Sequence, residues 1–150
     1  MIVSIGADHA GQVLQDRVLQ AIREAGHEPL CLTEDEQHLL VDYPDIAQAV
    51  GLTISDGRAE RGILICGSGV GMEIAANKLL GIRAAAGHDT YTAHQMVEHD
   101  DVNVLALGAR VIGTEVAAEI VVAFLSARFS AEERHLRRLA KVNDLDRQRA

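Results

Sequence analysis

The segment Gly62-Ile-Leu-Ile-Cys66-Gly67-Ser68-Gly69-Val70-Gly71-Met-Glu-Ile-Ala-Ala-Asn77 decides the fold class. It starts with an apolar run that contains β-branched residues, which is typical of a buried strand. Three glycines follow within five residues, and they allow the backbone to turn sharply and to approach a ligand closely. The residues after the glycines have helical character. The segment therefore predicts a strand, a tight glycine turn and a helix in direct succession.

The same alternation of short apolar runs and longer segments of helical period extends through the chain. It is the pattern expected of a parallel sheet with crossover helices on both faces. The predicted strands are residues 2–6, 28–32, 62–66, 82–87 and 104–107. The predicted helices are residues 11–25, 44–55, 71–79, 91–98, 115–128 and 131 to 141 or beyond. Thr114 is the expected N-cap of the fifth helix, and Ser130 with Glu133 matches a capping box for the sixth. A chain of 150 residues with this pattern predicts one α/β domain, residues 1–150, around a sheet of about five strands.

Composition and charge narrow the classes of function. The net charge is −8 at pH 7, and binding to phosphodiester backbones requires a basic face, so no nucleic-acid partner is expected. Residues 131–150 carry six Lys and Arg against four Asp and Glu, whereas the preceding 130 residues carry eight against 18. The C-terminal segment is therefore the candidate for binding a small anion. Two cysteines, the absence of a long apolar run and an N-terminus unlike a signal peptide predict a cytoplasmic protein that does not enter a membrane.

Chemically informative side chains follow the predicted strands. Ligands of open α/β sheets bind at the carboxyl ends of the strands, so these side chains are expected at one rim. They are Asp8 and His9 after the first strand, Cys66 to Gly71 after the third, His88 and Asp89 after the fourth and Arg110 after the fifth. We expect His99 to join the carboxylate, the imidazole and the thiol at this rim, a convergence that is typical of polyol sites.

Residues 66–71, the glycine loop, match none of three familiar motifs. A dinucleotide fingerprint would need glycine at Met72, and a P-loop would need a lysine at the helix start, whereas Lys78 lies two turns further on. A cysteine phosphatase loop would need an arginine at Met72. The loop amides could instead hold a developing oxyanion beside Cys66, which could act as a base or nucleophile. A tight turn with a buried cysteine explains the same residues equally well.

Two other groups also have structural explanations. Asp8 and His9 can be a helix N-cap pair, because aspartate is a favoured cap. Arg134 and Arg138 lie one turn apart on the last predicted helix, where a bound phosphate would offset their repulsion. Without other evidence, these arginines are more simply explained as solvated charges with acidic neighbours.

The remaining histidines do not predict a metal site. His94 and His99 are five residues apart on one helix, a spacing that turns their rings in different directions. His27, His38 and His94 are expected at the surface without a functional role.

Taken together, the chain resembles the ribose-5-phosphate isomerase B family, which includes the galactose-6-phosphate isomerases. The matching segments span nearly the whole chain in order, so the resemblance is specific. They are Gly6-Ala7-Asp8-His9-Ala10-Gly11, Asp42-Tyr43-Pro44-Asp45, Ile65-Cys66-Gly67-Ser68-Gly69-Val70-Gly71, Ala75-Ala76-Asn77-Lys78, Gly81-Ile82-Arg83-Ala84-Ala85, residues 103–113 and Arg134-His135 followed by Arg138.

The resemblance implies a fold, an activity and an assembly. The implied fold is a Rossmann-like three-layer sandwich whose C-terminal helix reaches a dimer partner. The implied activity is isomerisation of a phosphorylated sugar, without a metal or another cofactor. The implied assembly is a homodimer with shared active sites, or a tetramer made of two such dimers.

The resemblance also implies roles by motif position. The implied catalytic residues are Cys66, the base that moves a proton between C1 and C2, and Ser68 with His99, which open the sugar ring. The implied substrate-binding groups are Asp8 for hydroxyls, His9, Arg110, Arg134 and Arg138 for phosphate, Tyr43 as a pocket wall, Asp100 beside His99, and the amides of Gly67, Gly69, Val70 and Gly71 for the enediolate. Arg134 and Arg138 are expected to come from the partner subunit.

Two residues depart from the family pattern, in which Asp100 is usually Asn and Val97 is often Arg. A carboxylate at position 100 would repel an enediolate unless it were protonated or turned towards a hydroxyl. The expected reaction interconverts ribose 5-phosphate and ribulose 5-phosphate through a cis-enediolate. The alternatives are isomerisation of a tetrose 4-phosphate, allose 6-phosphate or galactose 6-phosphate, and a non-catalytic domain that binds a phosphometabolite.

Overall fold

A computed structural model describes residues 1–33 and 41–148 of the chain. His38 lies outside these described residues. The elements, in chain order, are β1 (Ile2–Ala7), α1 (Gln12–Glu24), β2 (Glu28–Cys31), α2 (Tyr43–Ser55), β3 (Arg61–Cys66), α3 (Val70–Ala76), β4 (Ala84–Ala86), α4 (Thr90–Asp100), β5 (Val104–Gly108), α5 (Thr114–Ser126) and α6 (Glu133–Arg147).

The five strands form one parallel sheet in the order β2-β1-β3-β5-β4. Helices α1, α4 and α5 pack on one face, and α2 and α3 pack on the other. The prediction of a Rossmann-like α/β fold with about five strands and helices on both faces is therefore confirmed. The chain leaves β1 and β3, which are neighbours, towards opposite faces, so a crevice opens at their carboxyl ends.

The sheet separates two apolar cores. Alternate residues of the central strands face the α1/α4/α5 side, among them Ile5, Ile65 and Leu107, which are fully buried there. The residues between them, such as Leu64 and Ala106, face α2 and α3. Strands buried on both faces need continuous apolar runs, which is why the runs in the sequence located them. Within the described ranges, no helix combines the length and apolar character needed to cross a membrane.

Two asparagines shorten the elements predicted around β4. The Asn77 side chain accepts a hydrogen bond from the Ala84 amide and donates one to the Ala84 carbonyl, both at 2.8 Å. Asn103 Oδ1 accepts from the Arg83 amide at 2.8 Å. Side chains thus take the backbone groups that a longer strand would use, and α3 ends at Ala76 rather than continuing to residue 79.

The termini of α5 and α6 also differ from the prediction. Gly113, not Thr114, is the N-cap of α5, and no side chain caps this end. The predicted capping box at Ser130 is wrong, because α6 begins at Glu133 with Glu132 as its N-cap. The Ser130 hydroxyl pairs with the His135 ring instead.

Candidate active site

The Cys66 thiol lies at the end of β3, at the start of the glycine loop. Its side chain is only 6% exposed, so a substrate must enter the crevice to reach it. Gly69 adopts a left-handed conformation with φ +83°, which turns the backbone back towards the strand end. The Gly69 amide consequently donates a hydrogen bond to Cys66 Sγ at 3.1 Å. This contact becomes stronger when the sulfur carries negative charge.

Asp8 lies beside this loop because β1 and β3 are adjacent. Its amide donates to the Ile65 carbonyl at 3.1 Å, directly before Cys66. The buried carboxylate accepts from the amides of Ala10 and Gly11 at 2.9 and 3.0 Å. It therefore closes the turn before α1, but it is not the helix N-cap that the sequence also allowed, because Gly11 occupies that position and no side chain caps the helix. His9 follows with its side chain exposed.

Arg110 lies over the glycine loop. Its amide donates to the Gly67 carbonyl at 2.9 Å, and the Ala109 amide donates to the Cys66 carbonyl at 2.8 Å. A Cβ atom built on Gly67 would lie 3.4 Å from Nη1 of Arg110. The exposed guanidinium is thus held above the loop that contains Cys66.

Tyr43 and Ser68 complete this group of residues. A Cβ atom on Gly71 would lie 2.9 Å from the ring of Tyr43, so the ring covers the loop where α3 begins. The exposed Ser68 hydroxyl accepts from the Val70 amide at 3.3 Å. Two amides expected to bind the enediolate, those of Gly69 and Val70, therefore already have side-chain acceptors in this structure.

The other predicted residues form a second group on α4 and α6. His99 and Asp100 end α4, and Arg134 and Arg138 lie on the exposed side of α6. Asp100 and Arg138 line a cavity of about 350 Å³ together with Asn77 and Arg83. The Arg134 guanidinium is 2.9 Å from the Glu132 carboxylate. The basic side of α6 and the partly exposed imidazole of His99 thus lie on one side of the molecule.

The two groups lie at opposite edges of the sheet. Helix α4 starts beyond the carboxyl end of β4 and runs back, so His99 lies near the start of β5. The β3/β5 ladder pairs Gly62 with Val104 at one end and Cys66 with Gly108 at the other. Its four residue steps span about 13 Å at about 3.3 Å per residue. The expectation that His99 meets Cys66 at one rim is therefore wrong within a single chain, because α4 carries His99 back to the opposite end of the strands.

Two further histidines support the two groups. The sequence predicts His88 at the rim of the strand ends but gives no role to it or to His135. His88 follows β4, and its Nε2 accepts from the Gly108 amide at 3.0 Å, so the ring holds the strand end beside the loop. His135 is 1% exposed and stacks on His99 with 4.3 Å between the ring centroids. The histidine in the matching segment Arg134-His135 was the only signal for the second of these residues. Neither contact follows from sequence spacing.

Other histidines have smaller roles. His94 is exposed, as predicted, with Nε2 3.5 Å from the Glu98 carboxylate. His27 is partly buried rather than fully solvated, and burial lowers its pKa. Among the described residues, no three His, Cys, Asp or Glu side chains are grouped so that they could hold a metal ion.

Comparisons with known proteins agree on one family. The family model described as ribose/galactose isomerase matches residues 3–142. A D-erythrulose-4-phosphate isomerase from Pectobacterium atrosepticum is 43% identical over 127 residues, which cover 85% of this chain and 84% of that protein. Ribose-5-phosphate isomerase B from Escherichia coli is 38% identical over 147 residues, covering 98% and 97%. A solved structure of ribose-5-phosphate isomerase B from Clostridium thermocellum superposes with a TM-score of 0.93 at 38% identity, over 100% of both chains. The chain therefore belongs to the ribose/galactose isomerase family.

Proposed function

We propose that this protein is an aldose-ketose isomerase that interconverts ribose 5-phosphate and ribulose 5-phosphate, with Cys66 as the base. One observation carries the proposal: the buried thiol, an amide donor to its sulfur and the Arg110 guanidinium all meet at one glycine loop. A base, donors for negative charge and an anion-binding group are the parts that this reaction requires.

The chemistry starts with opening of the furanose ring. A base, His99, removes the proton from O1, C1=O forms, the C1–O4 bond breaks, and O4 takes a proton from the Ser68 hydroxyl or from water. Cys66 then moves a proton from C2 to C1 through a cis-enediolate. Negative charge builds on oxygen in this step, and preorganised amides there contribute on the order of 100-fold or more to the rate. Loop amides other than those of Gly69 and Val70 are the candidates for this role, because Cys66 and Ser68 already engage these two.

The separation of the two residue groups favours a shared site. His99, Arg134 and Arg138 cannot reach Cys66 across the sheet of one chain, whereas a two-fold axis can place the second group of one subunit over the loop of the other. Arg110 would then bind phosphate from one side, and Arg134 and Arg138 of the second copy would bind it from the other. Exposed Val70 and Ile74 on α3 give such a dimer apolar surface to bury. We propose a homodimer, or a tetramer of two such dimers, that works in the cytoplasm without a cofactor.

A tetrose phosphate is the second candidate substrate, and Asp100 is the residue that favours it. A tetrose 4-phosphate has its O4 esterified, so it forms no furanose and needs no ring opening. The carboxylate of Asp100 lies next to His99, where it would oppose the negative charge of an enediolate but could accept from a hydroxyl. The similarity to a D-erythrulose-4-phosphate isomerase agrees with this alternative.

A panel of phosphosugars tests the proposal. Ribose 5-phosphate, erythrose 4-phosphate, allose 6-phosphate and galactose 6-phosphate are compared by kcat/KM, and exchange of the C2 proton with solvent is followed by NMR in D₂O. The proposal expects the highest kcat/KM for ribose 5-phosphate. A higher kcat/KM for erythrose 4-phosphate would identify the tetrose phosphate, not ribose 5-phosphate, as the substrate. Binding of the sugars without proton exchange for any of them would indicate a non-catalytic domain.

A further inference from the structure

The buried imidazole of His135 has no part in the proposed chemistry, but it contacts His99, which has one. It belongs to the first turn of α6, and only 1% of its surface is exposed. A buried polar ring destabilises the fold unless it has a hydrogen-bond partner. An aliphatic side chain would anchor the helix equally well without this requirement. Packing alone therefore does not explain a histidine at position 135.

Ser130 supplies the partner of this ring. Its hydroxyl lies 2.6 Å from Nδ1 of His135. The Ser130 oxygen also accepts from the Glu132 amide at 3.4 Å, and the Ser130 amide donates to the Glu98 carbonyl at 3.0 Å. Ser130 is thus fastened to the last turn of α4, one residue before His99. The pair of Ser130 and His135 is built onto the end of α4 that presents the candidate catalytic imidazole.

The His135 ring in turn carries the ring of His99. Their centroids are 4.3 Å apart, and their planes differ by 29°, which is a stacked arrangement. His99 keeps 34% of its side chain exposed, so one face of the ring is covered and an edge stays open to a ligand. The Glu98 carboxylate lies 4.0 Å from Nε2 of His99 and holds the ring only weakly. Stacking on His135 is therefore the contact that sets the plane of His99.

We propose that Ser130 and His135 form a positioning pair that fixes the orientation of His99 for opening of the sugar ring. This inference rests on the proposed function, in which His99 exchanges a proton with the sugar. His135 does not touch the substrate. It acts by holding an imidazole edge in line with O1, and a displacement of about 1 Å can cost a rate factor on the order of 100.

Substrate chemistry separates this role from simple support of α6. Ribose 5-phosphate must be opened before its C2 proton can move, whereas ribulose 5-phosphate is acyclic and can exchange its C1 proton at once. Loss of the positioning pair should slow the first process and spare the second. Loss of a purely structural contact would reduce both rates together.

The variants are Ser130→Ala, which removes the hydroxyl, and His135→Phe, which keeps an aromatic ring but loses Nδ1. Ser126→Ala is the matched control, because the exposed Ser126 hydroxyl donates to the Ala123 carbonyl within its own helix and, among the residues that the structure describes, has no other hydrogen-bond partner. Turnover of ribose 5-phosphate and exchange of the C1 protons of ribulose 5-phosphate are measured on the full chain. We expect Ser130→Ala to lower kcat for ribose 5-phosphate by about tenfold or more, with KM and the exchange rate within about threefold of the unmodified protein. An unchanged kcat, or an equal fall in both rates, would overturn the proposal.

A spectroscopic measurement keeps the test decisive if the proposed function fails. The ring protons of His99 are assigned by comparison with His99→Asn and are followed by NMR in each variant. We expect them to shift in Ser130→Ala and in folded His135→Phe, and to stay unchanged in Ser126→Ala. Unshifted His99 resonances in Ser130→Ala would refute the positioning pair, whatever the activity. An unmodified protein that exchanges no proton of any phosphosugar would refute the proposed function, and the His99 resonances would still decide the role of the pair.

Discussion

Gly108 leaves no room for a side chain at the point where β5 meets the glycine loop. A Cβ atom there would lie 2.7 Å from the backbone carbonyl of Ser68, which cannot move without displacing the loop. We expect Gly108→Ala to lower the free energy of unfolding by about 1–3 kcal/mol, as overpacking commonly does. Urea denaturation measures this value. Gly113→Ala is the control, because no atom lies within 4 Å of the added carbon and only the cost of alanine at an N-cap, up to about 1 kcal/mol, is expected. An equal loss in both variants would contradict the explanation.

Removal of the thiol should separate catalysis from binding. Cys66→Ala takes away the proposed base, while Arg110 and the loop amides remain in place. We expect kcat to fall by about 100-fold to 10,000-fold, the usual contribution of a general base. The dissociation constant of the phosphosugar, measured by calorimetry, should change little. Turnover at the unmodified rate would remove Cys66 from its proposed role.

At the scale of single residues, the sequence predicts backbone geometry better than side-chain partners. Glycines spaced around Cys66 require a turn, and the structure has one. Ser130 was expected to cap a helix, because serine followed three residues later by glutamate is a frequent cap pattern. Its hydroxyl instead pairs with a histidine, and this choice depends on how α4 and α6 pack, which no local pattern encodes.

The start of α4 predicts a dependence of stability on pH. Asp89 is the N-cap, and hydrogen bonds from the amide and the hydroxyl of Thr92 lower the pKa of its carboxyl group. A lowered pKa in the folded state means that the stabilisation is complete above the pKa of the unfolded chain and is lost as pH falls through the folded value. The difference in urea midpoint between the unmodified protein and Asp89→Ala should therefore shrink from about pH 7 to about pH 3.

Thr92→Val provides the matched comparison for this pH effect. It removes the hydroxyl donor to Asp89 and keeps the amide donor, so it should lose only part of the stabilisation that Asp89→Ala loses. A difference between the unmodified protein and Asp89→Ala that is the same at both pH values would show that the charge of the carboxylate does not stabilise the cap.

At the scale of elements, strands were easier to locate than helix ends. Apolar runs locate strands that are buried on both faces, and β1, β3 and β5 lie where these runs predict them. The end of α5 was predicted two residues too late. The Arg61 guanidinium donates to the carbonyls of Phe124 and Ala127 and thereby terminates the helix. This contact joins residues more than 60 positions apart, so the local pattern could not contain it.

At the scale of the molecule, motif order alone predicts the wrong position for His99 within one chain. The sequence grouped Cys66, Asp8 and Arg110 correctly, because each follows a parallel strand at the same edge. It added His99 by chemical type, although a helix that follows a parallel strand must return to the opposite edge before the next strand begins. Because the second group lies at the opposite end of the strands from Cys66, the functional hypothesis requires a second subunit to complete the site.

Mixing two inactive variants tests the shared site directly. Cys66→Ala and His99→Asn should each be inactive alone, because each homodimer lacks one group in both sites. When the two are unfolded and refolded together in equal amounts, half of the dimers should be mixed, and each mixed dimer should hold one intact site of two. We therefore expect about a quarter of the unmodified activity to return in a steady-state assay.

Cys66→Ala mixed with Arg110→Ala is the control, since both residues belong to the same group and no intact site can form. If the His99→Asn mixture also stayed inactive although mixed dimers had formed, one chain alone would have to build the site, and the two-fold arrangement would be wrong.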